Sequence, residues 1–81
     1  MMVVMHKRMK RRNKEIGARI RHLRLASYMT LADVSRVTKL GIATLSFLEN
    51  GKRKITIDDL EQLGKALNID PKRFFEVKGS R

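Results

Sequence analysis

Apolar residues recur along this chain at helical spacing. Ile16, Ile20 and Leu23 stand at i, i+4 and i+7, one stripe with Arg19, Arg21 and His22 facing elsewhere. Asn13 is a fair N-cap, so a first helix is expected over about 14–26. "TLAD" is the next start signal: Thr30 caps and Asp33 reaches back, a capping box built with Asp at the positive end of the helix dipole. That helix should cover about 31–37, with Val34 and Ser35 inward. Gly41 opens a third at about 42–49, buried through Leu45 and Leu48 and stopped by a left-handed Gly51. "TIDDLEQLGKAL" repeats the start device with Thr56 and Asp59, and Leu60, Leu63 and Leu67 stripe the fourth helix. "DPKRFFEV" begins a fifth, with Asp70 as cap and Pro71 at the first helical position. No alternating strand pattern occurs. An all-α fold of five short helices is expected.

Composition narrows the function. Eighty-one residues suit one small domain, and without cysteine there is neither a disulfide framework nor a thiolate metal site. His6 and His22 have no carboxylate pair at ligand spacing, so no metal or other cofactor is expected. Nineteen Lys and Arg against eight acids leave a formal charge of +11, a field that concentrates polyanions. No apolar run is long enough to span a bilayer, and "MMVVM" precedes its positive charges, the wrong order for a secretory signal. A cytoplasmic protein with no membrane partner is expected. Residues 1–12 are Met-rich, then basic and free of acids, which reads as a flexible arm able to reach phosphates or a minor groove. Residues 13–77 form the domain and 78–81 a tail.

The centre of that domain, about 30–50, is two short helices split by a tight joint, an arrangement that lets the second project from a compact body. A helix so placed fits a DNA major groove while its predecessor crosses the backbone. "IGARIRHLR" at 16–24, "MTLADVS" at 29–35, "LENGKR" at 48–53 and "LEQLGKALNIDPKRFF" at 60–75 stand in an order that resembles the phage lambda-repressor and Cro type of helix-turn-helix domain. The resemblance covers 16–75 and implies a compact five-helix bundle that regulates transcription as a dimer on DNA. The closing "ALNIDPKRFFEV" also resembles restriction–modification controller proteins. Three positions depart from the pattern: Leu31 replaces a Gln that supports phosphate contact, Lys39 stands where Gly adopts a left-handed turn, and Gly41 replaces a Ser cap.

By this match Ile42, Ala43, Thr44 and Phe47 occupy the face that reads base edges. None makes the bidentate Arg–guanine or Gln–adenine contact. They suit thymine methyls and sugar surface, with Thr44 able to hydrogen-bond. Affinity is then expected from phosphate contacts by Asn50, Lys52, Arg53 and Lys54, extended by Arg36, Lys39 and the position of Leu31. Arg24 and Glu49 match an internal ion pair of some relatives; an acid closing a helix faces unfavourable dipole charge and calls for a cation. Phe74 and Phe75 are adjacent, and a helix cannot bury both on one side, so this pair is the expected dimer contact, one ring completing the core and the other facing a partner.

An enzyme is the weakest class, because no nucleophile–base set, metal cluster or phosphate loop is present. The rivals to a regulator of double-stranded DNA are an antitoxin of the same fold, with Ile42 and Phe47 against a toxin-like protein, and a nonspecific DNA-binding protein.

Overall fold

The computed structural model describes the backbone from residue 2 to residue 75 and side chains from residue 12 to residue 75. Four α-helices follow one another, α1 (Met2–Ala26), α2 (Leu31–Thr38), α3 (Ile42–Glu49) and α4 (Ile57–Leu67), and a 3₁₀ turn closes the chain over Pro71–Phe74. There is no strand among the described residues. None of these helices is long and apolar enough to cross a membrane.

Helix α1 starts at Met2 instead of near residue 14, so Asn13 lies inside it and caps nothing. The run of Met, Lys and Arg ahead of Asn13 contains good helix formers and neither Gly nor Pro, so nothing in it stops the helix from growing backwards. The segment expected as an arm is therefore helical in its backbone from Met2. Its side chains through residue 11, and the tail at 78–81, lie outside the described residues.

Helices α2 and α4 begin as their sequences dictate. Thr30 Oγ1 accepts from the Asp33 N–H at 3.0 Å while Asp33 Oδ2 accepts from the Thr30 N–H at 2.9 Å. Thr56 and Asp59 repeat the exchange at 3.0 Å each. Each box satisfies a donor of the open first turn and ties down the chain entering the helix.

Left-handed residues end every helix. Gly51 (φ 69) stops α3, its N–H donating to Leu48 O and the Lys52 N–H to Phe47 O. Asn68 (φ 57) does the same for α4, Tyr28 (φ 59) for α1, and Lys39 (φ 68) for α2. Gly and Asn suit that conformation; Tyr and Lys are strained in it.

The core gathers the predicted stripes: Ile16, Ile20 and Leu23 of α1, Val34 of α2, Leu45 and Leu48 of α3, and Leu60, Leu63 and Leu67 of α4. Helix α3 packs on α1 and α2, and α4 lies across α2. The fifth helix is shorter than its sequence suggested. Asp70 Oδ1 accepts from the Lys72 N–H at 3.0 Å, and the Phe75 N–H donates to Lys72 O, closing one 3₁₀ turn. That turn drops Phe74 into the core at 1% exposure, which removes Phe74 from the expected dimer contact. Phe75 is left 39% exposed.

Candidate nucleic-acid interface

Helix α3 presents two unlike faces. Leu45 and Leu48 are fully buried, whereas Ile42 and Phe47 on the opposite side are 50% and 52% exposed. Ala43 is exposed and Thr44 half-buried. The four residues expected on the outward face thus share one short helix, three of them exposed and Thr44 at the edge of the buried face. Gly41 enters that helix in an extended conformation without a side-chain cap, as its lack of an acceptor requires.

The joint that aims α3 is built from side chains as much as backbone. Thr38, buried at the end of α2, donates its hydroxyl to Val34 O at 2.8 Å and accepts from the Leu40 N–H at 3.1 Å. Between those bonds Lys39 turns left-handed and stays exposed. The departure from Gly at this position therefore leaves the turn intact and puts a cation on its outside.

From below, α3 is held by Arg24 and Glu49. The guanidinium Nε donates to Glu49 Oε2 at 2.6 Å and an Nη to Oε1 at 3.0 Å, a bidentate pair between two buried side chains. The second Nη donates to Met29 O at 2.8 Å, so one arginine joins α1, α3 and the loop into α2. The hydrogen bond from Arg24 to Glu49 raises the pKa of Arg24 above its ordinary value, against the opposing effect of burial. Gly17 makes this proximity possible: a Cβ there would sit 2.2 Å from Leu48 O and 2.8 Å from Glu49 O.

The cations expected to contact phosphate differ in what they already bind. Lys52, Arg53 and Lys54 are exposed on the loop directly after α3, and Lys39 lies just before it. Arg36 is otherwise engaged, donating to Asp33 Oδ1 at 2.7 Å on the solvent side of α2. Asn50 likewise donates its amide to Ser46 O at 2.8 Å, closing α3. Leu31 packs half-buried against the core, and its side chain has no donor to offer a phosphate. Phe75 is not part of this face; its turn packs on α4 and α1. Asp33 has a pKa held below the ordinary carboxylate range, first by the Thr30 N–H and hydroxyl and to a lesser degree by Arg36.

Sequence reasoning passed over Thr38, Gly17 and Tyr28. A glycine inside a helical stripe is a readable sign of close backbone approach. Thr38 and Tyr28 carry no such signal, since their roles depend on where the following turn goes.

A projecting, half-greasy helix on a tight joint, clamped from beneath, defines a helix-turn-helix unit. The family described as "Helix-turn-helix domain" matches residues 15–74, and the chain belongs to that family. Its fold is similar to the crystal structure of the restriction-modification controller protein C.AhdI from Aeromonas hydrophila, with a TM-score of 0.74 and 26% identity over 76% of this chain and 94% of that one. No curated protein matches the sequence.

Proposed function

We propose that this protein is a sequence-specific, double-stranded-DNA-binding transcriptional regulator that acts as a dimer on a two-fold operator, with α3 in the major groove. The observation that carries this reading is the exposed pair Ile42 and Phe47 on a helix whose other face is locked into the core. Likeness to a restriction-modification controller protein supports a regulator of this type.

Charge supports the same stretch of the chain. Fourteen of the nineteen basic residues but only three of the eight acids precede Ile55, so the whole excess of +11 belongs to the part of the chain that carries α1, α2 and α3. In this reading Lys39, Lys52, Arg53 and Lys54 contact phosphates and set affinity. Ile42, Ala43, Thr44 and Phe47 set preference through thymine methyl and sugar contacts, aided by groove width and bending. Phe75 contributes to the contact between subunits, because one small domain reads only a few base pairs.

Selection of bound sites from random duplexes tests the reading. The expected product is a pair of half-sites about one helical turn apart. Phe47→Ala should change the selected sequence, whereas Lys52→Ala should weaken all sites alike and lower the salt slope by about 1. Selection without any sequence preference would reduce the protein to a nonspecific binder. No binding at low salt, together with capture of a toxin-like protein, would favour the antitoxin alternative.

A further inference from the structure

Tyr28 is the one aromatic side chain among the described residues that the fold holds at positive φ and leaves in water. It stands at φ 59 in the turn that ends α1, with its N–H donating to Leu25 O at 3.0 Å and the next N–H, of Met29, donating to Arg24 O at 3.2 Å. That double closure is the one in which glycine is favoured, because a Cβ is disfavoured at positive φ. A tyrosine here gives up that advantage, and its side chain returns nothing to the core, being 95% exposed. Its phenol makes no hydrogen bond among the described residues. Strain held at an exposed residue is a reason to look for an external partner.

The surroundings indicate which partner. Tyr28 lines an open, mostly apolar groove with Leu25, Met29, Leu31, Ala32 and Ile42. Ile42 is also the first residue of α3 and half exposed, so the groove shares a residue with the proposed base-reading helix. The part of the chain that builds the groove also carries the entire positive excess, and two of its three acids, Asp33 and Glu49, are already paired with Arg36 and Arg24. An apolar trough that also carries Thr30, in a stretch of chain with surplus positive charge, suits a strand whose sugars are apolar and whose links are anionic.

We infer that the Tyr28 groove receives the deoxyribose–phosphate strand bordering the major groove occupied by α3, the sugar packing on Leu25 and Ile42 and the Tyr28 hydroxyl donating to a phosphate. This rests on the DNA-binding reading and adds a positioning contact to it. The contact fixes the protein's register on the duplex without reading a base.

Tyr28→Gly separates this role from a structural one, because the two predict opposite signs. Glycine relaxes the turn, so the variant should melt at a higher temperature and yet bind its selected duplex about tenfold more weakly. Tyr28→Phe should fall between it and the wild type, having the ring but no donor. Since Tyr28 is the sole tyrosine, fluorotyrosine labelling gives a single fluorine resonance, which should shift on duplex addition. Hydroxyl-radical footprints should lose protection of one backbone segment per half-site in Tyr28→Gly, with the base preference unchanged. Wild-type binding with undiminished affinity in Tyr28→Gly would overturn the groove inference alone. Loss of self-association at unchanged intrinsic DNA affinity would also overturn it, making the ring a subunit contact. A wild-type protein that ignores duplexes at low salt would remove the regulator reading and this inference together.

Discussion

Arg24 and Glu49 show how much one pair of side chains decides in a protein of this size. Both are buried and bonded twice to each other, and Arg24 also serves Met29 O. Removing one member strands the other, at a cost of about 3–5 kcal/mol, a large part of what a small domain has. Glu49→Ala should therefore lower the melting temperature steeply and weaken DNA binding only through lost structure; an unchanged melting temperature would show the pair to be idle. Asp33 acts on pH in a different way. Its folded pKa is depressed, so its stabilising contribution is present above the unfolded value and fades as pH falls through the folded one. Urea unfolding from neutral to acid pH should show that loss in the wild type and a flatter acid limb in Asp33→Asn. The Arg24–Glu49 pair was legible in the sequence from the unfavourable dipole at the end of α3 and from resemblance. The third bond, to Met29 O, was not, because it depends on the path of the loop.

At the scale of the element, helix starts are local events and were readable: two Thr–x–x–Asp boxes and an Asp–Pro. Helix α3 was placed at its start too, but there Gly41 caps with no side-chain acceptor. A Cβ at Gly41 would meet only Thr44 Oγ1 at 3.8 Å, so there is room for a cap. Gly41→Ser should stabilise the protein by a few tenths of a kcal/mol in chemical denaturation. Gly17 obeys the opposite logic. Alanine would improve intrinsic helicity by about 1 kcal/mol, but its Cβ would drive α1 off the Leu48 and Glu49 carbonyls. Overpacking of that type costs about 1–3 kcal/mol, and here the obstacle is backbone, so Gly17→Ala should be net destabilising in the same measurement. Helix α1 is where local signals misled, since a plausible cap at Asn13 was overridden by helix-forming neighbours on its N-terminal side.

Charge is unevenly divided along the chain. Residues from Ile55 onward carry five bases and five acids, so α4 and the closing turn are close to neutral while the rest holds the excess. A surplus of +11 concentrates polyanions around the protein before contact. If a dimer neutralises roughly 6–10 phosphates, affinity should fall about a thousandfold or more between about 50 and 200 mM salt. Titrations over that range check it, and a flat response would exclude phosphate contacts as the main source of binding. Phe75→Ala should shift sedimentation toward the monomer without lowering the melting temperature much, since the ring is already partly in solvent.

The order of helices, the caps at Thr30, Thr56 and Asp70, the apolar stripes and the charge excess follow from spacing and residue type over a few neighbours, and the sequence alone determined them. It could not say which of Phe74 and Phe75 enters the core, that Leu31 packs inward, or that Tyr28 stands strained and exposed. Each of those depends on the direction the chain takes after a turn, and a turn's direction is set by the elements it must bring together. Capping is chemistry between residues three apart; burial is decided only when helices distant in the chain meet.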